Sequence, residues 1–273
     1  WSPDISGQLV VMLILAGLIG IPHGLTDFAL LSGGGRRLSG QNRQILNVTY
    51  GGLAYLLIMA LYMLLWWILP AVALILFLGT AIFHFGHQDL ICHQALNHDK
   101  GNISPILTIL RGSVVVVVPL LFHPETALYF NILARQALFV SPAETFATFS
   151  VINILVVGGF MLPFLLRRNW LVAAEQGMII LLFIILSPLI AFTLYFAFWH
   201  TPRHYLEVAA EKNAMIGRPL IIIYSLMIPL IAAALYFIEP IMATLDPAYT
   251  LIGFFIPLAA LTTAHVLFDT LLS

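Results

Sequence analysis

"AVALILFLGTAIFHFGHQDLI", residues 71–91, is an almost unbroken apolar run that ends in two histidines, a glutamine and an acid. Its length is near the roughly 20 residues a helix needs to cross a hydrocarbon core. Runs of the same kind recur almost to the end of the 273-residue chain, which is 61% hydrophobic and 8% charged. Soluble domains carry about 25% charged residues, so the chain reads as one integral membrane domain over residues 1–273, with no room for a separate soluble unit. A net charge of -1 argues against a nucleic-acid partner, and a single cysteine, Cys92, excludes an internal disulfide. The first apolar run has no basic leader or small-residue cleavage site and reads as a span, not a signal peptide. The sequence starts at Trp1 and not at methionine, as expected if an upstream stretch has been removed.

Cutting at charged or Gly/Pro-rich breaks gives spans near 5–31, 45–69, 71–91, 104–122, 143–166, 170–187, 188–208, 219–238 and 249–272. The stretch 125–140, "ETALYFNILARQALFV", reads as an amphipathic helix at the interface. The expected fold is therefore all-α: a polytopic membrane bundle of about eight or nine transmembrane helices. With the N-terminus outside, the inner segments hold Arg36, Arg37, Arg43, Lys100, Arg167, Arg168, Lys212 and Arg218, and the outer ones only Arg135. That asymmetry is the one cytoplasmic cations impose. Arg111 and Arg203 lie within spans, nearer their inner ends.

His23, His84, His87, His200, His204 and His265 all fall on spans running from outside to inside. One histidine per span lies about seven or eight residues from the inner end, or about 11–12 Å deep at the helical rise. Ionisable groups inside a membrane are costly and usually face the bundle interior, so four helices placing imidazole at one depth suggest a common centre. His200 and His204 are four apart and His84 and His87 three apart, so each pair shares a helix face. Pro202 would kink its helix and aim the two rings together. The plainer reading is that these imidazoles only hydrogen-bond neighbouring helices.

Imidazole suits zinc, copper, iron and nickel, whereas magnesium or calcium would want oxygen ligands that are scarce here. Four neutral imidazoles on ferrous iron would leave, in an octahedral arrangement, two positions for oxygen or substrate. Asp27, Asp89, Glu175 and Asp269 stand near the histidines in sequence or depth. They are candidates to accept the second ring N–H of a ligating histidine; for Asp27 and Asp89 pairing with a local Arg or Lys is equally open. Phe28, Phe83, Phe85, Tyr195, Phe196, Phe198, Trp199, Tyr205 and Phe268 crowd the same plane. They would line a pocket for a long apolar substrate, or simply pack.

Four motifs carry a family resemblance: "PHGLTDF" at 22–28, "FHFGHQD" at 83–89, "FWHTPRH" at 198–204 and "AHVLFD" at 264–269. In order and spacing the set resembles the Brp/Blh family of bacterial and archaeal β-carotene 15,15'-dioxygenases, over nearly the whole chain. The resemblance implies cleavage of β-carotene at its central double bond with O2, yielding two all-trans-retinal for microbial rhodopsins, in a multi-pass prokaryotic cell-membrane protein. It also implies a non-haem ferrous iron held by His23, His84, His200 and His204. His87 and His265 would then be hydrogen-bonding partners of the ligands or pocket residues. Two alternatives stay open. A di-iron membrane desaturase or hydroxylase also carries histidine boxes, but the single HxxxH and the lack of HxxHH count against it. A non-enzymatic carotenoid- or haem-binding carrier would use the same cavity without turnover.

Overall fold

The computed structural model describes residues 5–15, 19, 41–97, 102–139, 151–212 and 246–272, and every regular element among them is helical. They form α1 (Ile5–Leu15), α2 (Gln41–Ile68), α3 (Pro70–Asn97), α4 (Pro105–Phe122), α5 (Pro124–Ala134), α6 (Val151–Leu166), α7 (Trp170–Ile185), α8 (Pro188–Leu194), a π-helical segment (Tyr195–His200), α9 (Thr201–Lys212) and α10 (Pro247–Leu272). His23, Asp27, Phe28, the side chain of Asp269 and the expected span 219–238 lie outside the described residues.

Proline sets several of these starts. Pro70, Pro105, Pro124, Pro188 and Pro247 each occupy the first residue of a helix, where the missing N–H would have had no partner and the fixed φ is already helical. Asn169 caps α7 by accepting from the Val172 N–H at 3.3 Å. Arg135 closes α5 in the left-handed region, at φ 55°.

Among the described residues, Tyr50–Ile68, Pro70–Ala95, Pro105–Phe122 and Pro247–Phe268 are long and apolar enough to cross a bilayer. Three shorter apolar helices accompany them: α1, α6 and α7. The outer face of α2 displays Leu53, Leu56, Leu57, Leu61, Leu64 and Trp67. An apolar surface of that extent is unusual for a soluble monomer and natural against lipid. The architecture is that of an all-α membrane bundle.

The segment expected to be an interfacial amphipathic helix differs. α5 ends at Ala134, and Thr126, Ala127, Tyr129, Leu133 and Ala134 are buried. It packs on α3, α4 and α10, and its Leu133 carbonyl accepts from the indole N–H of fully buried Trp66 at 3.1 Å. An 11-residue helix is too short to span the bilayer, yet it closes one end of the bundle instead of lying on it.

The most intimate helix pair is α3 with α4, and two glycines explain it. A Cβ on Gly86 would strike the Thr108 carbonyl, and one on Gly112 would strike the Ile82 carbonyl. Small residues let membrane helices approach backbone to backbone. Gly86 stands two residues after His84, so this crossing also sets the depth and rotation of that imidazole. Gly86→Ala or Gly112→Ala should lower the melting temperature in detergent, with a cost of about 1–3 kcal/mol. Alanine at Gly79, which meets nothing within 4 Å, should be neutral in the same measurement.

Candidate metal centre

Four elements bring four buried imidazoles together. His84 comes from α3, His200 ends the π-helical segment, His204 follows one turn later on α9, and His265 comes from α10. All are at most 5% exposed. Ring centroids lie 5.1 Å apart for His84 and His265, 5.2 Å for His84 and His200 and 5.6 Å for His204 and His265. His23, the remaining histidine of the ligand set, lies outside the described residues. His265 therefore stands as close to His84 as His200 does, a relation that spacing along the chain could not reveal. Among the described residues no group of three or more His, Cys, Asp or Glu stands in closed metal-holding geometry.

The bend expected at Pro202 is realised as a widened turn. Pro202 has no N–H to offer the Phe198 carbonyl, and the chain responds one residue earlier. The Thr201 N–H bonds the Phe196 carbonyl, five residues back. Such π segments insert one residue into a helix and often occur at functional sites. Here the inserted turn presents His200, while α9 resumes in time to present His204 beside His265.

His87 is placed differently. Its ring is half-buried and stacks on Phe83 at 5.4 Å and 13°, and Phe83 is 45% exposed, so the pair lies at the outer edge of α3 and not among the four closely spaced rings. Spacing of three put His84 and His87 on one helix face only approximately. His87→Ala should leave metal content unchanged, whereas His265→Ala should lower it; metal analysis of the two purified variants checks the order.

Of the four acids, Asp89 and Glu175 are seen to pair with arginines, while Asp27 and the Asp269 side chain lie outside the described residues. Asp89 Oδ2 accepts from Arg111 Nε at 3.1 Å, from Trp199 Nε1 at 3.3 Å and from the Tyr195 hydroxyl at 3.4 Å. Arg111 further donates to Gln176 Oε1 at 2.9 Å, to the Val172 carbonyl at 3.3 Å and to Glu175 Oε2 at 3.3 Å. Arg203 pairs with the other oxygen of Glu175 and covers the Trp199 ring at 4.2 Å. Two cations thus meet two carboxylates in a buried, neutral network joining α3, α4, α7, the π segment and α9. Arg111 and Arg203 are fixed by this pairing, so their depth says less about membrane orientation than the loop cations do. The network grips the chain on both sides of His200, at Trp199 and at Arg203.

The aromatic set divides. Phe85 lies against His200, centroids 4.7 Å apart, and lines an apolar cavity with Phe77, Tyr129, Phe192, Phe196 and Phe255. Phe196 also stacks on His200, at 5.9 Å and 23°. The cavity therefore lies between α5 and the two rings, Phe85 and Phe196, that cover His200. Tyr195 and Trp199 belong to the polar network, Tyr205 neighbours His204 at 6.3 Å, and Phe268 packs on Tyr55 at 5.3 Å. Phe83 and Phe198, expected in the pocket, are 45% and 60% exposed. Lipid tails are as apolar as a core, so hydropathy cannot distinguish a ring facing lipid from one facing a substrate.

Sequence reading missed Arg111 and Gln88 as members of the site. A guanidinium in an apolar span needs an acid at its own depth, and Asp89 and Glu175 met that condition. Gln88 follows His84 by four, the spacing that makes neighbours on a helix.

Comparison with known proteins bears on the same motifs. A family model described as Beta-carotene 15,15'-dioxygenase matches residues 14–273. A protein named "Beta-carotene 15,15'-dioxygenase", from an uncultured marine bacterium 66A03, is 31% identical, with 93% of this chain and 90% of that protein covered. No solved structure matches. The match spans all four elements that supply the clustered imidazoles, and the chain belongs to the β-carotene 15,15'-dioxygenase family of enzymes.

Proposed function

We propose that this protein cleaves β-carotene at its central 15,15' double bond with O2, giving two all-trans-retinal, at a ferrous iron held by His23, His84, His200 and His204 in a prokaryotic cell membrane. The observation that carries the reading is a buried imidazole cluster with an apolar cavity beside it, the two sharing the rings of Phe85 and Phe196 as a wall. The donors fit such an ion. Metal–nitrogen bonds of about 2.0–2.2 Å would set neighbouring ring centroids about 4.5–5.5 Å apart, and His84 and His200, 5.2 Å apart, fall within that range. Among the described residues, Asp89 and Glu175 are occupied by Arg111 and Arg203, which favours an all-imidazole set over the two-histidine, one-carboxylate arrangement.

When bound, ferrous iron would supply the oxygen chemistry that the protein side chains lack. The protein's part is placement. The cavity wall of Phe77, Phe192 and Phe255 would hold one apolar arm of the polyene straight, and Phe85 and Phe196 would guide its central alkene to the edge of the His200 ring. On the cavity side the rings of Phe85 and Phe196 would keep water from the site. One oxygen atom ends in each aldehyde as the central C=C is lost, so no external reductant and no general acid or base is required. β-Carotene would enter from the lipid, and the retinal formed would pass to a microbial rhodopsin.

Purified protein reconstituted with ferrous iron and supplied with β-carotene and O2 should form two retinal per carotene at roughly one iron per chain. Two irons per chain would point instead to a di-iron desaturase or hydroxylase. Carotene bound but recovered intact would point to a carrier, and a haem absorption band would displace non-haem iron.

A further inference from the structure

The amide of Gln88 touches Nδ1 of His204 at 2.9 Å, and neither side chain is more than 3% exposed. The contact crosses from α3 to α9, over 116 residues of sequence, and it is aimed at a ring nitrogen, not at the backbone. Gln88 also sits one helical turn beyond His84, so a single face of α3 carries both an imidazole of the cluster and the group that addresses another.

The two ends of a carboxamide have opposite hydrogen-bonding character and almost the same size. With its NH2 inward, Gln88 donates to Nδ1 of His204, consumes that lone pair and leaves the ring proton on Nε2. Turned by half a revolution about its terminal bond, it presents Oε1, accepts the Nδ1 proton and leaves the Nε2 lone pair available. Only the second state makes the far nitrogen of His204 a donor. A ligating imidazole depends on such a partner to fix its tautomer and raise its basicity. Among the described residues, the candidate carboxylates Asp89 and Glu175 are held by Arg111 and Arg203, and the amide is the group observed on Nδ1 of His204.

We propose that Gln88 is a positioning residue that selects the Nε2-donor tautomer of His204, its amide turning as a divalent metal enters the cluster. The inference rests on the assignment of His204 as a ligand made above. A neutral selector suits the site: no charge is added next to a buried imidazole when the metal is absent, and the same side chain satisfies Nδ1 in either tautomer.

The test uses full-length protein in detergent, titrated anaerobically with ferrous iron against a chromogenic chelator, with helix content and melting temperature recorded for each variant. Gln88→Leu and Gln88→Met, which fill the space without an acceptor, should bind iron about 10- to 100-fold more weakly, while Gln88→Glu, whose carboxylate accepts the Nδ1 proton, should stay within about threefold of the parent. A role confined to holding α3 against α9 would lower the melting temperature in Leu and Met variants but leave their iron affinity unchanged; that result overturns the proposal. His204→Ala separates the two levels of the argument. If it binds iron normally, the ligand assignment fails and the role of Gln88 falls with it. If it loses iron while folded Gln88→Met does not, only the role of Gln88 is refuted.

Discussion

His84→Ala and His204→Ala should each leave a helical, membrane-inserted protein that retains no iron and forms no retinal, with turnover below about one part in a hundred of the parent. The two rings come from different helices, α3 and α9, and both neighbour His265. A shared loss therefore cannot come from one local packing defect. Folding should survive, because each substitution removes a polar ring from a buried site and leaves no charge behind. Sites built for function are commonly held at some cost to stability, so the melting temperature of the metal-free protein should hold steady or rise. Metal analysis, a retinal assay and a thermal melt on the same preparations check all three expectations. Normal iron content in both variants would refute the ligand assignment.

Arg111→Met should cost about 3–5 kcal/mol of stability, the range seen when one partner of a buried ion pair is removed. The Arg111 side chain is 1% exposed and reaches Asp89 and Glu175 at once. Glu175 would keep Arg203, but Asp89 would retain only the neutral Trp199 and Tyr195 donors. A buried carboxylate left with neutral donors is the main source of the loss. Arg111→Lys should recover little, since an ammonium cannot reproduce a planar fork that serves Asp89, Gln176, Val172 and Glu175 together. Adding Asp89→Asn to Arg111→Met should restore a substantial part of the stability by removing the orphaned charge. The double-mutant cycle is read from thermal midpoints in detergent. If the double variant is no more stable than Arg111→Met, the loss is one of packing and not of charge. Because Asp89 also anchors Trp199 next to His200, the single variant should lose iron affinity even at temperatures where it stays folded.

Sequence alone determined what composition and periodicity can encode. Apolar runs of span length, broken by prolines that became helix starts, gave the all-α membrane architecture. The boundaries of α3, α4 and α10 fall close to the expected spans 71–91, 104–122 and 249–272. The four motifs also identified the family, and counting residues along helices singled out His84, His200, His204 and His265, which the fold brings together. These are local properties: each depends on one segment and its solvent.

Only the tertiary structure decided which residues share a centre. His265 joins His84 while His87 turns to Phe83, a difference set by the rotation of α3, and that rotation follows from the Gly86–Gly112 contact with α4. Asp89 and Glu175 pair with arginines because α4 and α7 bring Arg111 and its neighbours within hydrogen-bonding reach. Phe85 borders a cavity and Phe198 faces outward, although both are phenylalanines at one depth. In a bilayer the outside is as apolar as the inside, so hydropathy gives depth but not facing. Facing is fixed by helix contacts between segments far apart in the chain, and it is facing that separates a cluster of imidazoles from a scatter of them.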